Sequence, residues 1–415
     1  MASTVTRPPS KAAFAFIFVT VALDMLALGI MVPVLPKLII QFEGGDIVRA
    51  AAATGLFGFS WAAMQFVFSP VLGALSDRYG RRTVILLSNF GLGLDYVLMA
   101  LAPSLSWLFM GRIVSGITAS SFSTAGAYIS DVTPAEGRAA RFGMLGAAFG
   151  LGFVVGPAVG GLLGAYNLRL PFWVAAGLSL ANAAYGFFVL PESLPPERRS
   201  PLKWRKANPV GALALLHSHP QLFGLSIATF LYYVAHEVLP SMFVLYTDYR
   251  YHWNARTVGL ALAAVGVGST LVSGGLVRPA VKRFGEEGAL LTGLLFGAAG
   301  FALYGWAPTG AFFWLGIPLV SIWGLAGPAM QGLMTRVVGP SEQGQLQGAL
   351  SSLRGVTGML GPILFTQTFA AAIDVRHAFK LPGAPYLLAS LLLLASLGWA
   401  RRVIRLRPPE PRAER

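Results

Sequence analysis

The sequence predicts an all-α transmembrane protein with about twelve membrane-spanning helices. Of its 415 residues, 55% are hydrophobic and only 12% are charged, whereas an average soluble domain has roughly 25% charged residues. The mean hydropathy is +0.65. Apolar segments long enough to cross about 30 Å of hydrocarbon recur along the whole chain. This composition suits a lipid environment and not a water-exposed surface.

The apolar segments form two groups of six, which a polar segment rich in Pro, Lys and Arg separates. The first group covers residues 12–40, 48–74, 84–102, 105–130, 139–166 and 170–190. The second group covers residues 220–247, 255–282, 286–307, 310–335, 343–372 and 383–404. We therefore expect an N-terminal half at 1–193, a cytoplasmic linker at 194–219 that can carry a short surface helix, and a C-terminal half at 220–415.

The placement of the basic residues explains the formal net charge of +14. With both termini in the cytoplasm, 22 of the 31 Lys and Arg residues lie in cytoplasmic segments and 7 lie outside. The remaining 2, Arg112 and Arg354, fall inside spans. The positive-inside rule therefore predicts a multi-pass protein of the cell membrane with cytoplasmic termini, and a bacterial inner membrane is expected. No nucleic acid partner is needed to explain the charge.

Several classes of chemistry are excluded by what the sequence lacks. It has no Cys, which removes disulfide frameworks, thiolate zinc sites and cysteine nucleophiles. Its five His are scattered without metal-ligand spacing. It contains no GxSxG, HExxH or GxxxxGK[ST] pattern, so neither an enzyme nor an ATP-driven pump is expected. We also expect no organic cofactor and no metal.

The two halves repeat when the sequence is shifted by 205 residues on itself. One shift aligns five separate places, each of them weak evidence alone. The matched pairs are Arg78-Tyr79-Gly80 with Arg283-Phe284-Gly285, Ala102-Pro103 with Ala307-Pro308, Gly111 with Gly316, Gly143 with Gly348, and Gly156-Pro157 with Gly361-Pro362.

The segment GALSDRYGRR, residues 73–82, is the longest specific motif. Its two glycines permit a tight turn and close helix approach, its Asp can cap or pair, and its Arg residues anchor the cytoplasmic face. It resembles the signature loop of the major facilitator superfamily, which is thought to latch the two halves together on the cytoplasmic side. The latch residues are Gly73, Asp77, Arg78, Gly80 and Arg81. In the second half, Lys282 replaces the Asp, so one intact latch is predicted.

The segment GFVVGPAVGG, residues 152–161, carries glycines at four-residue spacing. Such glycines let two helices approach backbone to backbone, and a proline bends the helix. The segment resembles the GxxxGPxxGG motif that is associated with antiporters of the superfamily, although a plain packing seam explains the pattern equally well. The motif residues are Gly152, Gly156, Pro157, Gly160 and Gly161.

Four ionisable residues lie inside predicted spans, where charge is costly unless it is paired or hydrated. They are Asp24, Asp95, Arg112 and Glu237. At about 1.5 Å per residue, Asp24 and Asp95 lie near mid-depth and Glu237 lies in the outer half of its span. The carboxylates are candidates for proton uptake and release, and Arg112 is a candidate counter-charge. The alternative is a buried ion pair that only fixes helix packing.

Uncharged polar side chains inside the spans are candidates for a substrate path. We assign Gln65, Asn89, His236 and Gln331 to it, and Asn182 is a further candidate. Hydrogen bonds that join helices explain the same residues equally well. Aromatic residues make up 12% of the chain, but the sequence does not single out any of them.

At LDMLALGIMVPVLP, residues 23–36, the sequence is similar to the tetracycline efflux branch of the drug/proton antiporters. The similarity continues through residues 92–143, YRYHW at 249–253, and QGQLQG to residue 366. It implies the twelve-helix major facilitator fold, with two six-helix halves related by pseudo-two-fold symmetry. It also implies that Asp24, Gln65, Asp95 and Arg112 stand where that branch keeps substrate and proton residues.

The resemblance stops at the residues that serve metal-chelated tetracycline. The branch carries a His in span eight and an Asp in span nine, and the matching positions here are Ser269 and Gly297. In span seven, where the branch has a Gln, this chain has Glu237. We therefore expect a cargo other than tetracycline itself, and Glu237 is a candidate for part of the lost coupling charge.

These observations favour a monomeric, proton-coupled antiporter that exports an amphipathic, drug-like small molecule by alternating access. Proton-linked transport of a metabolite in the same fold remains open because of Ser269 and Gly297. A non-cycling receptor or lipid-handling scaffold is a third hypothesis, and the intact latch motif argues against it.

Overall fold

The computed structural model describes residues 11–119, 121–133, 135–199, 211–217, 219–339, 342–374 and 380–405. Every regular element in these ranges is helical. Residues 200–210 and 218 of the predicted linker lie outside the described residues. Within the described part of that linker, Gly211–His217 forms a 3₁₀ helix.

The helices of the first six spans begin and end close to the predicted limits. They are α1 Lys11–Met31, α2 Leu35–Phe42, α3 Ile47–Tyr79, α4 Arg81–Leu101, α5 Leu105–Thr118, α6 Ser121–Val132, α7 Ala135–Tyr166 and α8 Leu170–Val189. The predicted first span is thus two helices, α1 and α2, and the fourth is α5 and α6.

The helices of the last six spans follow the same pattern. They are α9 Pro220–His236, α10 Val238–Tyr251, α11 Ala255–Leu271, α12 Val277–Trp306, α13 Gly310–Ile322, α14 Ala326–Thr335, α15 Gln343–Ile373 and α16 Ala384–Arg405. A π-helix, Val272–Leu276, joins α11 to α12, and a 3₁₀ turn, Trp323–Leu325, joins α13 to α14.

Ten helical stretches of the described chain are long and apolar enough to cross a membrane. One of them, Ala255–Trp306, is 52 residues long and is broken at Gly285, where φ is 70° and ψ is 174°. It therefore supplies two spans. The pair α5 and α6 supplies the twelfth, so the predicted all-α architecture is confirmed.

The backbone conformation is similar at positions that are 205 residues apart. Gly80 has φ 103° and ψ 151°, and its equivalent Gly285 also has a positive φ, 70°. Ala102 ends α4 with φ −51° and ψ 119°, and Ala307 ends α12 with φ −52° and ψ 115°. The weak sequence matches thus mark equivalent turns.

The prediction of a loop over residues 73–82 is wrong for residues 73–79. Residues up to Tyr79 continue helix α3, and the turn is confined to Gly80. No strong helix breaker stands between Gly73 and Tyr79, and the Ser76 hydroxyl donates to the Gly73 carbonyl at 2.7 Å. The close helix approach that we expected at Gly73 is also absent, because no described atom lies within 4 Å of a Cβ built there.

Packing groups the described residues into two compact units. The first comprises those of Met1–Asn208 and His252–Gly266, and the second those of Pro209–Tyr251 and Val267–Arg415. The segment His252–Gly266 joins the first unit because a Cβ at Gly161 would lie 2.5 Å from the Ala255 carbonyl oxygen and 2.8 Å from Gly259 Cα. The predicted limits at 193 and 220 stay a prediction.

Candidate functional site

Asp24 lies in a buried polar cluster that three helices of the first unit build. It is 4% exposed on α1, and Asn89 of α4 and Asn182 of α8 are both 0% exposed. Asn182 Nδ2 donates to Asp24 Oδ1 and to the Thr20 carbonyl, both at 2.9 Å. The orientation of the Asn89 amide that satisfies the network places its Nδ2 2.9 Å from Asp24 Oδ2 and its oxygen 3.1 Å from Asn182 Nδ2.

Two partners of Asp24 in this cluster, Asn89 and Asn182, are neutral amides. An amide can donate to a carboxylate and can also accept from a protonated carboxyl group. Asn182 Oδ1 is buried and accepts no hydrogen bond from the described part of the chain, so an acceptor is available within the cluster. Asn89 therefore lies with Asp24 in this buried network, and not on an open surface.

Asp95 forms the second acidic centre, on the same helix α4. It is 1% exposed, and its carboxylate interacts with the Ser115 hydroxyl of α5, although no contact with a described residue has the geometry of a direct hydrogen bond. Arg112 of α5 and Asp95 attract each other electrostatically. The Arg112 guanidinium carbon lies 5.0 Å from the centre of the Trp61 ring, and Nε and Nη1 of Arg112 make no hydrogen bond with any residue that the structure describes. The acid and the cation are thus near each other without a direct bond.

Gly111 provides the space that the Asp95 carboxylate occupies. A Cβ at Gly111 would lie 2.8 Å from Asp95 Oδ1 and 2.6 Å from Met99 Cγ. Any larger residue would therefore displace the carboxylate. Gln65 lies one turn after Trp61 on α3 and is half-buried, so it lies on the helix that covers Arg112.

The glycines of the 152–161 segment hold α7 against α1. A Cβ at Gly152 would lie 2.5 Å from Met25 Cβ, one at Gly156 would lie 2.6 Å from Gly29 Cα, and one at Gly160 would lie 2.7 Å from the Ile30 carbonyl carbon. Gly161 faces α11, and Pro157 lies inside α7. The segment is a packing seam in this structure, and its link to antiport stays a prediction.

The latch residues form an ion network at the turn between α3 and α4. Arg81 Nη1 lies 2.6 Å from Asp77 Oδ1, and Arg81 Nε lies 3.2 Å from Asp131 Oδ2. The Arg81 backbone N–H donates to Glu192 Oε1 at 2.9 Å. Arg78 stacks on the neighbouring Tyr79 ring at 5.2 Å. Asp131 and Glu192, which sequence reasoning missed, complete the network within the first unit.

The second unit has an ion pair at the equivalent place. Arg336 Nη2 lies 3.0 Å from Glu286 Oε1, and the two side chains are 57% and 18% exposed. Glu286 is 205 residues after Arg81, and Arg336 is 205 residues after Asp131. The second pair therefore repeats the first with the charges exchanged.

Glu237 lies at the break between α9 and α10, where it packs against α15. A Cβ at Gly361 would overlap Glu237, with 2.5 Å to Glu237 Cγ. Arg354, two turns earlier on α15, attracts the Glu237 carboxylate electrostatically. His236 is exposed, and its ring lies 5.4 Å from that of Trp323. His236, Glu237 and Arg354 thus lie together where α9 meets α15.

A cavity of about 300 Å³ opens in the second unit. Its wall includes Gln331 and Ser269, which the sequence comparison singled out, and also Arg354. Gln331 Nε2 donates to Gln347 Oε1 at 3.4 Å. The cavity wall does not include Glu237 or His236. Arg354 was visible in the sequence only as one of two Arg residues inside spans.

Gly297 faces a tryptophan. A Cβ at this position would lie 2.6 Å from Trp323 Cδ1 and 2.9 Å from Leu393 Cδ1. A carboxylate at residue 297 therefore has no room beside the indole ring. The resemblance to the efflux branch implies an Asp at this position. The Trp323 ring occupies the space that the side chain of an Asp would need.

The model of the Major Facilitator Superfamily matches residues 17–362 and 225–415. A relative from Escherichia coli, "Tetracycline resistance protein, class C", is 38% identical over 94% of this chain and 98% of its own length. The chain belongs to the Major Facilitator Superfamily. The class E protein of Escherichia coli is 35% identical over 87% of this chain and 89% of its own length. This superfamily member is therefore a multi-pass membrane transporter and not an enzyme.

Solved structures of the superfamily show the same fold. A human organic anion transporter is 24% identical with a TM-score of 0.70, and it covers 95% of this chain and 100% of its own. The nucleoside transporter NupG is 13% identical with a TM-score of 0.77, covering 95% of this chain and 100% of its own. The twelve-helix major facilitator fold is thus confirmed.

Proposed function

We propose that this transporter exports an amphipathic, drug-like small molecule from the bacterial cytoplasm in exchange for protons. The relatives that match almost the whole chain are tetracycline resistance proteins, which supports drug efflux. The buried acidic cluster around Asp24 carries the proton part of the proposal. Neutral amides contact this carboxyl group, and such partners can serve both of its protonation states.

Asp95 supports the same proposal from a different arrangement. Arg112 attracts its buried carboxylate without a direct ion pair, and the Ser115 hydroxyl also interacts with it. A buried ion pair that only fixed packing would need close, fully satisfied geometry to offset its desolvation. Protons that enter from outside would neutralise Asp24 or Asp95 and favour substrate release, and alternating access would return the site to the cytoplasm.

Inverted membrane vesicles test this function directly. Addition of an exported drug to energised vesicles should release protons and reduce a preformed pH gradient. Asp24→Asn and Asp95→Asn should each reduce this release at least tenfold. Asp46→Asn is the matched control, because Asp46 caps α3 at an exposed turn and its replacement keeps a capping side chain.

Two outcomes would contradict the proposal. The first is that no compound of a broad drug panel changes the gradient in vesicles that contain the wild-type chain. The second is that both buried-acid variants retain the release measured for Asp46→Asn. A gradient that responds to nutrients and not to drugs would favour metabolite transport.

A further inference from the structure

The cavity of the second unit combines an aromatic wall with a cation. It measures about 300 Å³, which is near the lower end of the range for drug-sized ligand sites. We propose that it binds planar aromatic molecules that carry an anionic group, and that Arg354 selects for that group. This inference rests on the proposed function for its physiological meaning, since it names the substrate class of the exporter.

Arg354 is the charged residue of the cavity wall. No ion pair or side-chain hydrogen bond of its guanidinium group is found among the described residues, and its side chain is exposed to the cavity. Glu237 attracts it electrostatically but is not part of the wall. A permanent positive charge inside a membrane-spanning helix is stabilised by close anionic contacts, and Glu237 makes no close ion pair with Arg354. An anionic ligand group would supply such a contact.

The position of the guanidinium group suits a bound carboxylate. Its central carbon lies 4.8 Å from the centre of the Tyr233 ring, so the ring face attracts the cation. A guanidinium group can donate two parallel N–H···O bonds to one anionic group. Carboxylates and sulfonates accept such paired bonds, whereas ammonium groups are repelled.

The aromatic wall suits a flat ligand. Tyr232 and Tyr233 both line the cavity, and their ring centres are 5.5 Å apart. Behind them, the Trp323 ring lies 5.1 Å from that of Tyr232, which supports the orientation of the wall. Flat aromatic molecules gain stacking and apolar contact on such a surface. The wall therefore favours a ring system attached to the anionic group.

Neutral polar groups complete the cavity. Ser269 and Ser273 line it from α11 and the following π-helix, and Gln331 lines it from α14. A π-helix redirects side chains locally and is frequently found at functional sites. Hydroxyl and amide groups can bond to ring substituents without adding charge. The net charge that the wall presents thus comes from Arg354.

A matched pair of dyes separates charge from shape. Fluorescein and rhodamine 123 share the flat three-ring xanthene scaffold, but fluorescein is anionic and rhodamine 123 is cationic at neutral pH. We would measure the binding of each dye to the full purified chain in lipid nanodiscs by fluorescence anisotropy, with empty nanodiscs subtracted. The variants are Arg354→Gln and the control Arg402→Gln. Arg402 also stacks on an aromatic ring, that of Trp399 at 6.0 Å, but lies outside the cavity.

The wild type should bind fluorescein at least tenfold more tightly than rhodamine 123. Arg354→Gln should weaken fluorescein binding at least tenfold and leave rhodamine 123 binding unchanged or stronger, and Arg402→Gln should match the wild type. The inference is overturned if fluorescein does not bind saturably, if rhodamine 123 binds more tightly, or if both variants bind fluorescein alike. Thermal unfolding of each variant identifies any loss of binding that comes from misfolding, and Arg354→Lys, which keeps the charge, should then retain part of the fluorescein binding.

Binding requires no pH gradient, so the two proposals can fail separately. A chain that binds fluorescein through Arg354 but moves no drug in vesicles would contradict the proposed export alone. A chain that exports drugs with normal proton release, and in which Arg354→Gln leaves dye binding unchanged, would contradict the anionic substrate class alone.

Discussion

Gly156 and Gly361 occupy the same position of the repeat, yet they face different neighbours. In the first unit, a Cβ at Gly156 would lie 2.6 Å from the backbone of Gly29. In the second unit, a Cβ at Gly361 would meet the side chain of Glu237. Both units have a space next to the helix at this glycine, but different groups occupy it. Backbone fills it in the first unit, whereas an ionisable side chain fills it in the second.

The ion pairs at the equivalent turns differ in the same way. Arg81 pairs with Asp131 in the first unit, and Glu286 pairs with Arg336 at the equivalent positions of the second. The two positions of the ion pair are equivalent in both units, but the acidic and the basic residue are exchanged. Both units therefore place an ion pair between these two positions, and either position can carry the acid or the base.

The largest expected effect comes from filling the backbone contact of the first unit. Gly156→Val should reduce the free energy of unfolding by about 3 kcal/mol or more, because backbone atoms of Gly29 cannot rotate away as a side chain can. The measurement is thermal unfolding of the purified protein together with its yield. Gly146→Val on the same helix is the control, since no described atom lies within 4 Å of a Cβ there. Equal losses in the two variants would contradict the packing seam.

A smaller effect is expected from filling the equivalent space in the second unit. Gly361→Ala should cost about 1–3 kcal/mol of stability, because the Glu237 side chain must leave its place. Adding Glu237→Ala should recover most of that loss, since the new methyl group then occupies vacated space. Thermal unfolding of both single variants and the double variant measures this coupling.

The same variants also test the role of Glu237. Proton release in vesicles should remain low in the double variant although its stability recovers, if Glu237 contributes coupling charge. Full recovery of both properties would show that Glu237 only fills space. No recovery of stability would contradict the contact between Glu237 and Gly361.

The smallest expected effect concerns the second ion pair. Glu286→Arg and Arg336→Asp should each reduce stability by about 1 kcal/mol, which is modest because Arg336 is 57% exposed. The double variant repeats the charge order of the first unit and should regain most of that loss. A double variant that is as unstable as the sum of the two single variants would show that the order of charges matters.

Much of the fold could be predicted from the sequence because apolar length and the 205-residue repeat report it directly. The boundary at Tyr79 was missed because a glycine inside a helix and a glycine at a turn look alike in sequence. Of Gly73 and Gly80, Gly80 is the one with a positive φ, a backbone conformation that favours glycine. The breaks within the first and fourth spans were missed because hydropathy does not register a change of helix direction.

The candidate site was predicted less completely than the fold. Asp24 and Asp95 stood out because charge inside a span is rare. Arg354 has the same rarity, but the sequence offered no partner for it, and its stacking on Tyr233 depends on how α9 packs against α15. Trp323 was one aromatic residue among many, and only packing shows that its ring lies against Gly297.

The contact between Trp323 and Gly297 also restricts how the gene can diverge. An acidic residue introduced at position 297 alone meets the indole ring, and removal of Trp323 alone leaves a void beside Phe301, whose ring centre lies 5.2 Å away. Each of these two substitutions alone is expected to lower stability, whereas the two together restore the total side-chain volume at this place. An acid at position 297 can therefore be accommodated only by a paired substitution, and single mutations at either position are disfavoured.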